Sequence, residues 1–353
     1  MTETEAYIAF NLTDRIGNVA LSRLEAEYGS AAKAWEMLPG DKRISRSGQD
    51  IDIGREIKLA KRYGVEIVTA VDPNYPQILK ACARHPLVLY VKGRVSALSE
   101  RAVAMVGTRK ASQYGLDQAY AIGKGLAERQ VAVVSGLALG IDAASHQGVL
   151  AGKGTAIGVL GSALDKFYPE QNRQLARDIV EAGGAAVSQF PFGRECDTTT
   201  FPIRNQVVAA LSLGVVAIES PVKSGTLLTC ADALDLGRPV MALPGRVDSR
   251  FSAGCLDLIA DGARMIRNAA DICDELGIKV EAEAPAAAAP RPRFSLEESL
   301  VMRNVGVEGV SMDKLIGLTR LDAGKVAALC MSLRLQGRLR FLPGNRVALP
   351  RED

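Results

Sequence analysis

Between residues about 100 and 270, short apolar runs alternate with longer segments of helical spacing. The apolar runs span 102–106, 131–134, 155–160, 185–188, 215–218 and 239–243. Helical segments follow the first three runs, at 116–129, up to about 150, and at about 170–182. Buried strands alternating with helices predict βαβ units and a doubly wound, mainly parallel sheet. Ligands of such sheets bind outside the carboxyl ends of the strands.

The amino-terminal region has a different pattern. Residues 5–63 predict short helices, and Ile16-Gly17-Asn18 predicts a turn between two of them. One interpretation is a helix-hairpin-helix, whose turn amides contact a nucleic-acid backbone. The other is a small helical bundle that packs on the next domain, and one Ile-Gly pair is weak support for the first.

The carboxyl-terminal region predicts a winged helix. Helices are expected at 296–305, from Ser311, and at 322–336, where Asp322 can cap the start and Gly337 ends the helix. Two strands then surround the turn at 343–345. The third helix offers only the cations Lys325 and Arg334, so the sequence leaves open whether this domain contacts DNA or protein.

These patterns divide the chain into four segments. We predict a helical domain of sterile-α-motif or helix-hairpin-helix type at 1–70 and a Rossmann-like α/β domain at 71–280. A Pro/Ala-rich linker at 281–293 has almost nothing to bury, and the winged helix occupies 294–353. The expected fold class is therefore α/β, with an extended parallel or mixed sheet.

Composition narrows the function classes. Hydrophobic residues make up 48% and charged residues 24% of the 353 residues, as in ordinary globular proteins. No apolar run reaches the roughly 18 residues of a membrane span, and the first residues are acidic, so we expect a cytoplasmic protein. Six scattered cysteines without a C-x-x-C pair, and two histidines, favour neither a disulfide framework nor a metal site. With 43 basic and 40 acidic residues, any polyanion site must be local.

Small residues cluster where four of the predicted strands end. The predicted phosphate-binding residues in these loops are Gly107, Thr108 and Arg109; Ser135, Gly136 and Gly140; Gly161 and Ser162; and Ser224, Gly225 and Thr226. Glycine lets backbone N–H groups approach a phosphate closely. Neither G-x-x-x-x-G-K-[ST] nor G-x-G-x-x-G is present, so we expect phosphate binding without a nucleotide cofactor or a nucleoside triphosphatase activity.

Cationic and aromatic side chains extend this site. Arg109 can grip a phosphate with two N–H groups, and Arg204-Asn205 lies near a predicted helix start, which adds donors. Aromatic side chains in neighbouring loops are candidates for stacking on bases: Phe167, Tyr168 and Phe201.

Asp142 and His146 lie four residues apart, on one face of a predicted helix. They could form an acid/base or metal pair, but no third ligand is evident. We interpret both as structural, with Asp142 as the helix N-cap and His146 as a polar anchor of the loops. No catalytic residue is predicted.

The ordered motifs resemble the DNA-processing protein A (DprA/Smf) family. They are Val106-Gly-Thr-Arg109, Ser135-Gly-Leu-Ala-Leu-Gly-Ile-Asp142, Phe201-Pro-Ile-Arg-Asn205, Ser224-Gly-Thr-Leu-Leu-Thr229 and Pro244-Gly245. The resemblance implies a non-enzymatic protein that binds single-stranded DNA, forms a homodimer and loads the RecA recombinase during natural transformation. Gln206 departs from the family pattern, which commonly has an arginine there.

A nucleotide-processing hydrolase of the lysine-decarboxylase-like type is the alternative. Its motif P-G-G-x-G-T-x-x-E aligns with 221–229 through Pro221, Gly225 and Thr226. Thr229 then stands where the catalytic glutamate should be. A hydroxyl cannot replace a carboxylate as a general acid/base near neutral pH, which disfavours this alternative.

Overall fold

The computed structural model describes residues 1–13, 16–45, 50–279, 295–306, 308–335, 337–342 and 344–349. The chain forms two compact units, Met1–Val280 and Glu281–Asp353. The predicted linker at 281–293 lies outside the described residues. Among the described residues, no helix is long and apolar enough to cross a membrane.

The first unit begins with a helical bundle. Its helices are α1 (Glu3–Thr13), α2 (Asn18–Tyr28), α3 (Ala31–Met37) and α4 (Ile53–Tyr63). The ring of Phe10 meets Trp35 edge-on, with centroids 5.1 Å apart. Both rings belong to a hydrophobic core that continues without a break into the sheet. The amino-terminal helices therefore form a bundle that packs on the sheet, and whether the start of α2 also contacts a nucleic-acid backbone stays a prediction.

A mixed sheet forms the body of this unit. Its strands are β1 (Glu66–Thr69), β2 (Val88–Gly93), β3 (Ala102–Val106), β4 (Ala132–Ser135), β5 (Ala156–Val159), β6 (Ala185–Ser188), β7 (Val215–Ala217), β8 (Val240–Ala242) and β9 (Arg264–Met265). They are ordered β1-β2-β6-β5-β4-β3-β7-β8-β9 within the described chain. Strands β6 to β9 in this order are parallel, whereas β2 runs antiparallel to β6 and β1 antiparallel to β2. The predicted α/β class and mixed sheet are confirmed.

The sequence patterns did not identify β1 and β9 as strands. β1 comes before the predicted boundary between residues 70 and 71 and pairs with β2 along its whole length. The sheet thus includes residues 66–69, which the predicted boundary places in the helical domain.

Helices cover both faces of the sheet. They are α5 (Gln77–Lys80), α6 (Gln113–Ala127), α7 (Ile141–Ala151), α8 (Arg173–Glu181), α9 (Thr200–Ala210), α10 (Gly225–Asp235), α11 (Ala253–Ala260) and α12 (Ala269–Glu275). Because side chains alternate along a strand, Ala104 and Val106 of β3 face one core while Val103 and Met105 face the other. Gly148 lets α7 approach α6, since a Cβ there would collide with the Tyr120 carbonyl oxygen.

The second unit is a winged helix, as predicted. It contains α13 (Leu296–Arg303), β10 (Val310–Ser311), α14 (Met312–Thr319), α15 (Ala323–Leu335), β11 (Arg340–Leu342) and β12 (Arg346–Ala348). Asp322 caps α15 by accepting the Gly324 N–H at 2.8 Å. The two cations of α15 both have partners: Lys325 pairs with Glu297, and the Arg334 guanidinium lies 5.1 Å from the centre of the Phe341 ring.

Candidate phosphate-binding cleft

A cleft of about 830 Å³ opens at the carboxyl ends of β3, β4 and β7. From β3 the chain winds outward through β4 to β5, and it later returns to the other side of β3 to form β7 and β8. The position between β3 and β7 is therefore the topological switch point, where loops diverge and leave room for a ligand. The cleft lies where the alternating pattern predicts a binding site.

Most of the predicted phosphate-binding residues line this cleft. Those that do are Gly107, Thr108, Arg109, Gly136, Arg204, Asn205, Ser224, Gly225 and Thr226. The loops that follow β3, β4 and β7, and the start of α9, bring them together, although more than 100 residues separate the ends of the set in sequence.

Local packing requires glycine in the loops after β3 and β4. A Cβ on Gly107 would lie 2.5 Å from the Ile141 side chain at the start of α7. Gly140 has φ +79°, and a Cβ there would collide with the Thr108 carbonyl oxygen. The Thr108 N–H donates to the Glu219 carbonyl oxygen at 2.8 Å, which ties this loop to the end of β7. Gly140 therefore shapes the loop without lining the cleft.

Arg109 is exposed at the rim of the cleft. Its guanidinium lies 4.8 Å from the centre of the Phe201 ring, a cation–π distance that orients the side chain across the opening. Within the described part of the chain Arg109 has no carboxylate partner. Its N–H groups remain available to an anion.

Arg204, by contrast, is buried, at 6% exposure. It donates to the carbonyl oxygens of Gly136 and Val159, which links the ends of β4 and β5. Burial lowers the pKa of Arg204 to about 10; nearby Asp142 opposes this shift and Arg109 adds to it. The guanidinium therefore stays cationic at neutral pH and contributes a fixed positive charge to the floor of the cleft.

Asp142 supports the loop after β4 in a way that the sequence did not predict. The helix N-cap is Gly140, so the predicted N-cap role of Asp142 is wrong. Instead its carboxylate accepts the N–H groups of Gly136 at 3.0 Å and Ala138 at 3.3 Å. Burial raises its pKa, and the charge of Arg204 opposes that shift. Because the Gly136 N–H is already used, it is not free to bind phosphate.

His146 does not anchor the loops by hydrogen bonds. Its side chain is completely buried in α7, and neither ring nitrogen has a hydrogen-bond partner among the described residues. Burial lowers the pKa of His146 to about 4, so the ring is neutral at pH 7. The predicted role as a polar anchor is therefore wrong.

Two predicted serine residues, Ser135 and Ser162, do not line the cleft. The Ser135 side chain is buried and donates to the Met105 carbonyl oxygen at 2.6 Å. Ser162 is buried too. A Cβ on Gly161 would lie 2.9 Å from the Phe201 ring, so only glycine fits at this position without a shift of that ring. The loop after β5 therefore packs against Phe201, which lines the cleft, and does not line the cleft itself.

The predicted aromatic residues divide into two groups. Phe201 lines the cleft, and Tyr168, 48% exposed, has its ring centre 6.2 Å from that of Phe201. Phe167 instead packs against the core, with the Arg173 guanidinium 5.2 Å from its ring centre. Phe201 and Tyr168 are therefore the two rings placed beside Arg109.

Three cationic residues that the sequence analysis did not single out also line the cleft: Lys110, Lys223 and Arg250. Lys110 follows Arg109 and Lys223 precedes Ser224, and this adjacency to predicted residues is the signal in the sequence that could have identified them. The segment of Arg250 reaches the cleft because the Ser220 N–H donates to the Phe251 carbonyl oxygen at 2.8 Å. Together with Arg109 and Arg204 they oppose a single lining carboxylate, that of Asp142.

The described lining does not contain the glutamate that the hydrolase alternative requires at position 229. Thr229 lines the cleft with a hydroxyl that donates to the Gly225 carbonyl oxygen at 3.4 Å. Glu219 is buried outside the lining, and its carboxylate accepts the N–H and hydroxyl of Ser112. Nor do three His, Cys, Asp or Glu side chains of the described residues converge to hold a metal ion.

Sequence comparison identifies two matching regions. The family model for DNA recombination-mediator protein A matches residues 66–277, and that for the DprA winged helix domain matches residues 282–345. Protein Smf of Escherichia coli is 33% identical over 290 residues, covering 81% of this chain and 78% of that protein. DNA processing protein DprA of Streptococcus pneumoniae is 36% identical over 205 residues, covering 58% and 72%.

Solved structures give the same result. The X-ray structure of DNA processing protein A from Streptococcus pneumoniae aligns with a TM-score of 0.66 and 29% identity, covering 78% of this chain and 98% of that one. DNA processing protein A from Helicobacter pylori, whose structure gave insights into its single-stranded DNA binding mode, aligns with a TM-score of 0.54 and 27% identity. That alignment covers 60% of this chain and 95% of the other.

Proposed function

The chain belongs to the DNA recombination-mediator protein A (DprA/Smf) family, as its motifs predicted, and from this premise we propose that it binds single-stranded DNA in the cleft. The observation that carries the proposal is the charge of the lining, where five cationic side chains accompany one carboxylate that is already engaged by two backbone N–H groups. A polyanion is the ligand that such a surface favours. The structural relative from Helicobacter pylori, a single-stranded DNA binder, supports the same assignment.

Recognition in this proposal is directed at the backbone. The Arg109 guanidinium binds a phosphate with two parallel N–H groups. Helix α10 begins at Gly225, and its N-cap Ser224 makes no capping hydrogen bond. Because Gly225 and Thr226 line the cleft, the first N–H groups of this helix are available there as further donors. Contacts of this kind position a strand without reading its sequence.

The preference for single strands follows from the aromatic side chains. Phe201 is half-buried beside Arg109, and Tyr168 is exposed next to it. Stacking on such rings requires an unpaired base face, which a duplex does not offer. Arg109 and Phe201 thus bind the two chemical parts of one nucleotide, the phosphate and the base.

We propose no covalent step, because the position of a hydrolase glutamate is held by Thr229. The alternative nucleotide hydrolase predicts that free base is released from nucleoside monophosphates. Incubation of the purified protein with each monophosphate, followed by chromatography, is expected to yield no free base above the protein-free control.

Delivery of the strand to the RecA recombinase and homodimerisation extend the proposal, and both rest on the family. A cytoplasmic site of action follows from that role, since the recombinase filament forms on DNA inside the cell. Addition of the protein should shorten the lag of RecA filament assembly on DNA coated with single-strand-binding protein. Light scattering after gel filtration should give twice the mass of one chain, and a monomer mass would reject the dimer.

The single-strand claim is tested by fluorescence anisotropy. A labelled oligo-dT is titrated with the protein, and a duplex of the same length serves as the matched control. Tighter binding of the single strand, weakening as salt is added, is the expected result. Equal, weak affinity for both ligands would reject the proposal.

A further inference from the structure

A second depression, which we call the α9 groove, lies on the other side of α9 from the cleft. Its volume is about 490 Å³, and its described lining includes Asn18, Arg23, Arg84, Ile203 and Gln206. It is formed where residues 16–20, at the start of α2, meet residues 84–87 before β2 and the outer face of α9. The function proposed above does not use it.

The charge of the α9 groove is positive. Arg23 and Arg84 are both exposed, and neither has an ion pair or hydrogen bond within the described part of the chain. None of the residues that line the groove carries a carboxylate. Two unpaired guanidinium groups that face the same space, with no acidic counterpart, favour an anionic occupant.

The local backbone holds the groove in shape and adds to its charge. The Asn18 side chain donates to the Ala83 carbonyl oxygen at 2.7 Å, which fixes the start of α2 against the segment that carries Arg84. Helix α2 starts at Asn18, and its N-cap Gly17 provides no side-chain capping bond. Because residues 18–20 line the groove together with the two arginines, the first N–H groups of this 11-residue helix add positive charge there.

Helix α9 forms a wall shared by the two sites. Phe201, Arg204 and Asn205 line the cleft, whereas Ile203 and Gln206 line the groove. Ile203 is 44% exposed on the surface between them. A helix with its side chains is about 10–12 Å across, a distance that a few nucleotides of an extended strand can span.

We propose that the α9 groove binds phosphates of the same DNA strand after it leaves the cleft and crosses α9 over Ile203. Arg23 and Arg84 supply two backbone contacts there, so the groove lengthens the binding site without reading sequence. This inference rests on the proposed function of the cleft. It assigns the amino-terminal bundle a direct part in holding DNA.

The test compares two lengths of labelled oligo-dT, about 6 nucleotides to fill only the cleft and about 20 to reach both sites. The variant carries Arg23→Gln and Arg84→Gln. The control carries Arg101→Gln and Arg177→Gln, which remove the same charge from exposed positions that line neither site. Circular dichroism verifies that each protein is folded. If the double variant does not fold, Arg23→Gln and Arg84→Gln are tested singly, and each should lower the salt slope on the long oligonucleotide by about 0.7.

The expected result is length-dependent. The groove variant should bind the long oligonucleotide at least about tenfold more weakly than wild type, and its salt slope should fall by about 1.4, or 0.7 for each of two lost contacts. Its affinity for the short oligonucleotide should equal that of the control. Unchanged affinity and salt slope on the long oligonucleotide would overturn the proposal that the α9 groove binds DNA. Failure of the wild type to bind either length would instead reject DNA binding by the cleft.

Discussion

Asp142 and Arg204 hold the same residue from opposite sides. The Asp142 carboxylate accepts the Gly136 N–H at 3.0 Å, while the Arg204 guanidinium donates to the Gly136 carbonyl oxygen. Gly136 has no side chain to obstruct this arrangement, and a Cβ there would lie 2.6 Å from Arg204 Cζ. Two buried opposite charges thus fix the loop after β4 at the floor of the cleft.

Replacing Arg204 with leucine should destabilise the fold. The change leaves the Asp142 carboxylate buried without a compensating charge and two carbonyl oxygens without their donor. The free energy of unfolding in urea should fall by about 3 kcal/mol. Arg109→Ala, at an exposed position, serves as the comparison and should change it by less than about 0.5 kcal/mol. Similar small losses for both variants would show that Arg204 is not a structural bridge.

Arg109→Ala should weaken DNA binding without unfolding the protein. Loss of one charge-assisted contact predicts about a tenfold rise in Kd for oligo-dT. The slope of log affinity against log salt should decrease by about 0.7, the value for one phosphate on a single strand. Arg177→Ala removes an equal charge from the exposed face of α8 and should leave both quantities unchanged. An Arg109 variant with the wild-type slope would remove that residue from the site.

Phe201→Ala should weaken binding by a different physical route. Loss of a stacking platform predicts a reduction of about 1–3 kcal/mol in binding free energy. The salt slope should remain that of wild type, because no phosphate contact is lost directly. Phe201→Tyr keeps the ring and should retain most of the affinity. If Phe201→Ala altered only the slope, the ring would serve merely to position Arg109.

His146 should give stability a pH dependence. Its pKa is about 4 in the folded chain, against an ordinary value of 6.5, so between these values the unfolded chain binds more protons. Stability should therefore fall as the pH is lowered from about 7 to about 5, with His146 contributing about 2 kcal/mol of that loss.

His146→Leu tests this dependence, because leucine fills a similar space without titrating. Urea unfolding of both proteins at several pH values gives the difference directly. The loss between neutral and acidic pH should be smaller in the variant by the contribution of His146. Parallel pH profiles for the two proteins would contradict complete burial of a neutral imidazole.

The parallel part of the sheet could be predicted because its strands are continuous apolar runs, as in Ala102–Val106, bounded by small residues. Strands β1 and β9 could not be predicted in this way. β1 is a four-residue edge strand whose assignment depends on pairing with β2, 22 residues further along. β9 has only two residues, Arg264 and Met265, and both are exposed. Such strands are defined by long-range pairing, which no local pattern records.

The position of the cleft could also be predicted, but not all of the residues that line it. Glycine and arginine at strand ends identified Gly107 and Arg109, because the carboxyl ends of parallel strands meet at one edge. A position at a strand end does not determine where a hydroxyl points, and the Ser135 hydroxyl turns inward to Met105. Arg250 follows β8 in sequence, and hydrogen bonds of Ser220 with Phe251 and Gly254 bring its segment to the cleft. Tertiary contacts thus explain why Ser135 was predicted but does not line the cleft, and why Arg250 lines it but was not predicted.

A crystal structure of the protein with oligo-dT tests the central claim most directly. The account predicts phosphate oxygens within hydrogen-bond distance of the Arg109 guanidinium and of the first N–H groups of α10, with a base against Phe201. Arg204 and Asp142 should keep their contacts to Gly136, since they are structural. A strand bound elsewhere on the protein, with the cleft between β3 and β7 empty, would contradict the account.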